Sequence, residues 1–291
     1  MIADAMERGI RNFIIGIGGS ATNDGGIGML KALGYQFSDE NGQDVGEGGQ
    51  ALERVSSIII EKANPILKEC SFHIACDVTN PLCGKNGATY IYGPQKGVTP
   101  EIAEELDQAM NHYASVTSKF LHNDYASAEG AGAAGGLGFA FLSYLNATLT
   151  PGIDLILNAV ELEKELEDTD ITVTGEGRLD HQTVMGKAPV GVARLAKKYG
   201  SKVVAFAGSV TPEATACNAA GIDAFFPIVR GITTLAEAMD PKNAKIKYGS
   251  SCRTGIPSVI VLILFTNFRE CFCIVFTEIL SFLYDFLLFL H

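Results

Sequence analysis

Residues 13–30, FIIGIGGSATNDGGIGML, place an apolar strand, a glycine-rich loop and the start of a helix in direct succession. The pattern predicts a strand over residues 13–17, a polar loop over 18–26 and a helix from residue 27. Such a loop leaves backbone N–H groups unpaired at the helix N-terminus, where a phosphate or carboxylate binds favourably. Glycine allows a ligand to approach the backbone, and Ser20, Thr22, Asn23 and Asp24 add polar side chains. The stretch therefore predicts an anion-binding active-site loop.

The composition is that of a folded protein, with 291 residues, 47% hydrophobic and 19% charged. The net charge of −11 argues against nucleic acid as the main partner. Seven cysteines without a CxxC pair, and no signal-peptide pattern, favour a cytoplasmic location with free thiols. A zinc site of Cys70, His73 and Cys76 is an alternative, although residues 72–76 are predicted as a buried strand, where free cysteines are common.

Short apolar strands alternate with amphipathic helices along most of the chain. Strands are predicted at residues 12–17, 55–60, 72–76, 170–174, 202–207 and 224–227. Helices are predicted at residues 2–9, 99–121, 133–145, 160–167, 189–199 and 212–220. This alternation predicts the α/β class with a largely parallel sheet, in which ligands bind at the carboxyl ends of the strands.

Both ends of the chain depart from this alternation. The first helix has no N-terminal cap, so we expect Met1 to be an internal start. Beyond about Lys245 the alternation stops, and residues 259–291 are strongly hydrophobic. Charged residues interrupt every run that is long enough to span a membrane, at Arg269, Glu270, Glu278 and Asp285. A non-native tail is the favoured interpretation, and a membrane anchor is the alternative.

Three further segments place glycines or charged groups near predicted strand ends. ACDVTNPLCG, residues 75–84, puts Asp77 directly after a strand. GAGAAGGLGFAF, residues 130–141, is a glycine-rich start to an apolar helix. Residues 175–187 form a predicted loop that carries Glu176, Arg178, Asp180 and Lys187. Carboxylates can hold Mg²⁺ or accept a proton, and the two cations can hold phosphate or a substrate carboxylate, as phosphoryl transfer requires.

Structural roles are open for the same residues. Asn23 or Asp24 can cap the following helix, and Asp77 can form an Asx-turn with Thr79 or Asn80. Glu176 and Arg178 can form a local ion pair, Lys187 can be solvated, and residues 130–138 can serve close helix packing. His181 is interpreted as a solvated loop residue.

Two known nucleotide-binding motifs can be compared with the sequence. The Walker A pattern is absent, and residues 16–21, GIGGSA, match the GxGxxA variant of the dinucleotide fingerprint. No acidic residue clearly ends a strand about twenty residues later, as that fingerprint requires. An NAD-dependent oxidoreductase is therefore kept as an alternative function.

Four motifs together resemble the type I (bacterial-type) glycerate kinases: GIGGSATNDGGIGMLKALG, CDVTNPLCGKNGA, GAAGGLGFAF and TGEGRLDHQTVMGKAPVGVARLAKKYG. The resemblance covers roughly residues 1–244. It implies ATP-dependent phosphorylation of D-glycerate with Mg²⁺. It also implies two α/β domains, one flavodoxin-like and one discontinuous and Rossmann-like, with a cleft between them. On this basis the first domain is residues 1–159, the C-terminal part of the second is 160–244, and 245–291 is the tail.

The residues and the resemblance together give the expected site. The catalytic residues are Asp180, Asp77 and Lys187, and the Mg²⁺ ligands are Asp77 and Glu176. Substrate or phosphate groups are expected at Gly18, Gly19, Ser20, Asn23, Asp24, Gly25, Gly26, Gly175, Glu176 and Arg178. The phosphorylated hydroxyl and the oligomeric state are left open.

The family's A-P-D-S-F-K-like and A-S-G-L-like segments, which precede the part seen here, and its final helix are not found in this sequence. An incomplete second domain is therefore expected. A non-catalytic binding remnant is the third functional alternative.

Overall fold

The computed structural model describes residues 1–229, 231 and 233–240, and the chain divides into two compact units. The first unit is Met1–Ile156, and the second begins at Leu157. The predicted tail, residues 245–291, lies outside the described residues. Within the described part of the chain, no helix combines the length and the apolar composition that crossing a membrane requires.

The first unit mixes short strands and helices. In chain order they are α1 (Ile2–Glu7), β1 (Asn12–Gly16), α2 (Ile27–Ala32), β2 (Gln36–Ser38), β3 (Ser57–Ile59), β4 (Ser71–Ala75), α3 (Ala88–Tyr92), α4 (Pro100–Leu121), α5 (Ala133–Leu145) and β5 (Thr148–Thr150). The next helix, α6 (Gly152–Ala159), crosses the boundary between the two units.

The parallel sheet of the first unit has the strand order β1-β4-β5. In its register Ile14 lies beside His73, and His73 lies beside Thr148. The strands β2 and β3 form a separate antiparallel pair. Because parallel strands point the same way, the loops that follow β1, β4 and β5 begin at one edge of the sheet.

Helix α4 covers the core because its buried side chains recur every three or four residues. Leu106, Met110 and Tyr113 lie on its buried face. Within the sheet, Phe13 stacks on Phe72 with ring centroids 4.9 Å apart. Each such side chain stabilises the fold by about 1.5–3 kcal/mol when it is removed from water.

Two glycine-rich segments of the first unit, residues 22–26 and 130–138, pack backbone against backbone. The N–H of Gly25 donates to the carbonyl of Gly135 at 2.9 Å. A Cβ atom at Gly135 would lie 2.0 Å from the carbonyl oxygen of Thr22. The interpretation of residues 130–138 as a close-packing segment is therefore confirmed.

The start of α5 has an unusual backbone that this packing requires. Ala134, Gly135 and Gly136 have φ values of 54°, 72° and 92°, all in the left-handed region. Ala134 has a Cβ, so its left-handed conformation costs roughly 1–2 kcal/mol. Such strain persists only where the surrounding contacts hold it.

The elements of the second unit are α7 (Leu162–Leu166), β6 (Ile171–Leu179), α8 (Ala188–Lys198), β7 (Lys202–Val210), α9 (Ala216–Ala219), β8 (Ala224–Pro227) and α10 (Leu235–Met239). The strands form a parallel sheet with the order β6-β7-β8. Helix α8 has Pro189 in its first turn and Lys197 and Lys198 in its last turn, which suits both helix termini.

The predicted α/β class is confirmed, although the strands of the described residues divide among three sheets. The prediction that β6 ends at residue 174 is wrong. It runs to Leu179 because eight of its nine residues pair with residues of β7. The helix predicted at residues 212–220 is a 3₁₀ helix, Pro212–Thr215, followed by the short α9. The strands β2 and β5 were not predicted, because three residues are too few to show a periodic pattern.

We expect Gly26→Ala to destabilise the first unit by about 2–4 kcal/mol, and Gly42→Ala by only about 1–2 kcal/mol. Both glycines are left-handed, with φ of 76° and 75°, so the two substitutions introduce the same backbone strain. A Cβ at Gly26 would lie 2.5 Å from the Cβ of Ala140, whereas one at Gly42 meets nothing within 4 Å. Urea unfolding followed by circular dichroism measures the difference. Equal losses in the two variants would contradict the close packing of residues 22–26.

Candidate active site

In the second half of the loop after β1, N–H groups at the start of α2 already have a hydrogen-bond acceptor within the chain. The N–H groups of Gly26 and Gly28 donate to the two carboxylate oxygens of Asp24, at 3.1 and 3.2 Å. Asp24 thus stands at the α2 N-terminus where an external anion was expected. The expectation of unpaired N–H groups at this helix terminus is wrong, and the capping role of Asp24 is confirmed.

The first half of the same loop lines a cavity of about 450 Å³. Gly18, Gly19, Ser20 and Asp77 all border it, so the structure brings these four predicted residues together. Among the described residues, none accepts a hydrogen bond from the N–H groups of residues 18–20. The rest of the lining is Ile17, Ala75, Cys76, Val78, Tyr92, Gln95, Lys96, Ala133 and Ala134. The volume suits a small ligand.

Asn23, Asp24, Gly25 and Gly26 do not line this cavity. The side-chain amide of Asn23 donates to Thr89 Oγ1 at 3.0 Å, and thereby joins the loop to α3. Asn23 Oδ1 is buried and has no hydrogen-bond partner in the described part of the chain. These residues hold the loop in place, while residues 18–20 face the cavity.

Asp77 joins the end of β4 to the start of α6. Its Oδ1 accepts a hydrogen bond from the N–H of Gly152 at 2.8 Å. The Asx-turn alternative is therefore wrong, because the carboxylate binds a residue of another loop rather than Thr79 or Asn80. Oδ2 of Asp77 has no hydrogen-bond donor among the described residues and can bind a ligand.

Lys96 is a cavity residue that no sequence pattern predicts. It ends a 3₁₀ helix, Pro94–Lys96. Its Nζ donates to Ser20 Oγ at 2.8 Å and to the Thr22 carbonyl at 2.7 Å. Burial lowers the pKa of Lys96, and the negative charge of Asp24 acts in the opposite direction. No sequence signal identified Lys96, because it is far from residue 20 in the chain and lies in a turn.

Glu176 in the second unit lies inside β6 rather than in a loop, and it is 4% exposed. The hydroxyl of Thr183 donates to its Oε1 and accepts the backbone N–H of Asp180 at 3.2 Å. Burial raises the pKa of Glu176, while the Thr183 hydroxyl and the charge of Lys187 lower it. Thr183 was not predicted, since its link to Glu176 depends on the turn between them.

Asp180 follows β6 and is held between two cations. Its Oδ1 accepts the N–H of Gln182 at 2.9 Å and lies 3.6 Å from Lys187 Nζ. Its Oδ2 lies 3.7 Å from Arg178 Nε. The alternative of an ion pair between Glu176 and Arg178 is wrong, because Arg178 pairs with Asp180. Lys187 is 38% exposed, as the solvated alternative describes, but it also pairs with Asp180.

These contacts keep Asp180 ionised. Desolvation alone would raise its pKa, but the Gln182 N–H, Lys187 and Arg178 together lower it. Its side chain remains 16% exposed, so the carboxylate is accessible. Asp180, Lys187 and Arg178 thus form a fixed carboxylate beside two positive charges.

Gly175 has a packing role within β6. A Cβ atom at this position would lie 2.2 Å from the carbonyl oxygen of Phe206 on β7. The absence of a side chain is therefore required for the two strands to approach.

The carboxylates differ in how well they fit a magnesium ion, which usually takes one or two carboxylates together with water and phosphate oxygens. Asp77 fits, because one of its oxygens is available. Glu176 does not fit, because it is buried and bound to Thr183. In the part of the chain that the structure describes, no three His, Cys, Asp or Glu side chains gather as metal ligands.

The zinc alternative is wrong. Cys70 donates to the Ile66 carbonyl and Cys76 to the Val78 carbonyl, each at 3.3 Å. His73 Nδ1 lies 2.9 Å from Thr148 Oγ1. Each member of the predicted group thus has a different protein partner.

The dinucleotide alternative is also disfavoured by the backbone. A dinucleotide fingerprint leads from its strand through a tight turn directly into a helix. Here β1 ends at Gly16 and α2 begins at Ile27, so a long loop separates them.

A second depression, of about 530 Å³, lies at the opposite ends of β6 and β7 from Asp180. It is lined by Glu167, Asp168, Thr169, Asp170, Ile171, Tyr199, Gly200 and Lys202. Ligands of parallel sheets bind at the carboxyl ends of strands, so this larger depression is not the candidate site.

We expect Glu176→Gln to raise the melting temperature of the second unit at pH 8, with the gain fading as the pH falls towards 4.5. The raised pKa of Glu176 means that its ionised form costs stability above that pKa, while the protonated form does not. Glutamine keeps an oxygen that can accept the Thr183 hydroxyl.

Asp223→Asn is the control, and we expect it to change stability at pH 8 in the opposite direction. Lys197 and the N–H of Val203 hold the pKa of Asp223 below its usual value. The asparagine variant should therefore lose stability at pH 8 and approach the parent protein in acid. Thermal unfolding across this pH range compares the two, and a Glu176→Gln variant with a lower melting temperature at pH 8 would contradict the assignment.

Comparison with known proteins agrees with the motifs. The model of the Glycerate kinase family matches residues 1–251. The chain is 48% identical over 255 residues to Glycerate 2-kinase of Escherichia coli strain K12, and 47% identical over 240 residues to Glycerate kinase of Bacillus subtilis strain 168. These alignments cover 88% and 82% of this chain, and 66% and 63% of the relatives.

A solved structure gives the same assignment. The crystal structure of glycerate kinase 2 from Salmonella typhimurium LT2 superposes with a TM-score of 0.72 at 43% identity, covering 86% of this chain and 68% of that chain. The chain thus spans about two thirds of the length of the proteins that it matches. The fold, the motifs and these similarities together show that the chain belongs to the glycerate kinase family.

Proposed function

We propose that this protein transfers the γ-phosphoryl group of ATP to a hydroxyl group of D-glycerate. The observation that carries the proposal is the fixed, ionised Asp180 beside Arg178 and Lys187 in a member of the glycerate kinase family. Phosphoryl transfer depends on positioning and charge, and this cluster supplies both.

Asp180 accepts the proton of the attacking hydroxyl. The glycerate oxygen then forms a bond to the γ-phosphorus while the bond to the bridging oxygen of ADP breaks. Gln182 and the two neighbouring cations hold the carboxylate in one orientation. A carboxylate whose pKa is lowered is ready to accept a proton at neutral pH, although it is a weaker base than an unperturbed one.

The cations have separate roles in this scheme. Arg178 binds the carboxylate of glycerate, because its planar guanidinium group matches the two carboxylate oxygens. Lys187 neutralises the charge of the transferring phosphoryl group. In the first unit, the uncommitted N–H groups of residues 18–20 bind an anionic group of a substrate. Asp77 would hold Mg²⁺, which offsets negative charge on phosphate oxygens when it is bound.

The position of phosphorylation follows from a relative. The Escherichia coli protein is named Glycerate 2-kinase, and on that basis we propose 2-phosphoglycerate as the product. Enolase acts on 2-phosphoglycerate and not on 3-phosphoglycerate, so a coupled assay with enolase alone identifies the isomer.

The test is D-glycerate-dependent formation of ADP from ATP by the chain, compared with Asp180→Asn. We expect asparagine to lower kcat by about 10²–10⁴-fold, because it cannot accept the proton. Asp168→Asn is the matched control, since this exposed aspartate lies at the other end of β6. Absence of ADP formation by the parent chain would contradict the proposed function. An Asp180→Asn variant with full activity would contradict the role of Asp180.

A further inference from the structure

We propose that Lys96 and the N–H groups of Gly18, Gly19 and Ser20 form an oxyanion-binding site in the first unit. The ligand oxygen is a phosphate oxygen of ATP or the carboxylate of glycerate, which share the same chemistry. The identity of the ligands rests on the proposed function, whereas the site itself rests on the geometry of the first unit.

The position of Lys96 brings a positive charge to the cavity. Lys96 borders the 450 Å³ cavity, and so do Gly18, Gly19 and Ser20. Two of its three N–H groups donate to Ser20 Oγ and the Thr22 carbonyl. One ammonium N–H is left for a ligand, and the contact with Ser20 places the charge beside the uncommitted N–H groups.

N–H groups in the second half of the loop already have partners. Gly25, Gly26 and Gly28 already donate to Gly135 and to Asp24. An anion cannot bind these N–H groups without displacing the Asp24 carboxylate or the Gly135 carbonyl. Residues 18–20 border the same cavity as Lys96, and no described residue accepts their N–H groups.

The cavity brings two opposite charges together. Among the described residues, Lys96 and Asp77 are the charged side chains that border it, and the N–H of Gly152 holds Asp77 by Oδ1. Such a pair suits a ligand that carries both an anionic group and hydroxyl groups, as D-glycerate and ATP both do. The anionic group would pair with Lys96, and a hydroxyl would donate to Oδ2 of Asp77 when no Mg²⁺ is bound there.

The burial of Lys96 supports the same conclusion. Burial lowers its pKa, so keeping the ammonium charged costs free energy in the absence of a ligand. A bound anion would offset this cost. A lysine that served only to hold the loop could do so from a solvated position.

The experiment measures binding without turnover. Isothermal titration calorimetry with ATP alone and with D-glycerate alone compares the parent chain, Lys96→Gln and Lys96→Arg. Lys119→Gln is the matched control, because Lys119 is an exposed lysine at the end of α4. We expect Lys96→Gln to raise the Kd of one of the two ligands by about 10–100-fold. Lys96→Arg should retain much of the affinity, and Lys119→Gln all of it.

The salt dependence of binding shows whether Lys96 contacts the bound anion or only holds the loop in position. If Lys96 contacts the anion, Kd rises with ionic strength in the parent chain, and much less in Lys96→Gln. The ligand whose Kd changes in Lys96→Gln is the one that supplies the oxyanion. Unchanged affinity of Lys96→Gln for both ligands, an unchanged salt dependence, or a parent chain that binds neither ligand would overturn the proposal. A chain that binds anions through Lys96 without forming ADP would contradict only the proposed function.

Discussion

The hydrogen bond from the Gly25 N–H to the Gly135 carbonyl joins two segments that lie far apart in the sequence. Around it the backbone of residues 22–26 meets the left-handed turn at the start of α5, so closely that a single Cβ atom would prevent the contact. This contact fixes the second half of the loop after β1. It also places Ala134 beside residues 18–20 in the wall of the cavity. The geometry of the candidate anion site therefore depends on glycines that do not bind the ligand.

In the second unit, hydrogen bonds of a threonine side chain position the charged groups. Thr183 connects the buried Glu176 to the backbone N–H of Asp180, so the turn after β6 is tied to the interior of the strand. Burial disfavours the charge on Glu176, whereas Gln182 and two cations favour the charge on Asp180. Two carboxylates four residues apart thus have pKa values shifted in opposite directions. The buried one supports the turn, and the accessible one faces the substrate in the proposed reaction.

Periodic patterns predicted the long elements well and the short ones poorly. The helix α4 and the strands β1, β4 and β8 lie close to their predicted positions, because each has enough residues to show its period. The residues after β1, β4 and β6 were recognised as site candidates because glycines and carboxylates follow apolar strands there. Lys96 and Thr183 could not be found in this way. Their partners are set by turns, and a lysine or threonine in a turn has no pattern that distinguishes it from a solvated residue.

The sequence by itself determined the α/β class, the family and the composition of the glycine-rich loop of the first unit and of the charged segment of the second unit. Apolar periodicity and the order of the glycine-rich motifs are local properties, and local properties can be read along the chain. Only the tertiary structure decided which of those polar groups are free for a ligand. Asp24 accepts hydrogen bonds from N–H groups at the start of the helix that follows it. The carbonyl of Gly135 accepts the N–H of Gly25, and Lys96 donates to Ser20. Whether a hydrogen-bonding group is satisfied depends on partners brought from elsewhere in the chain, and only packing selects them.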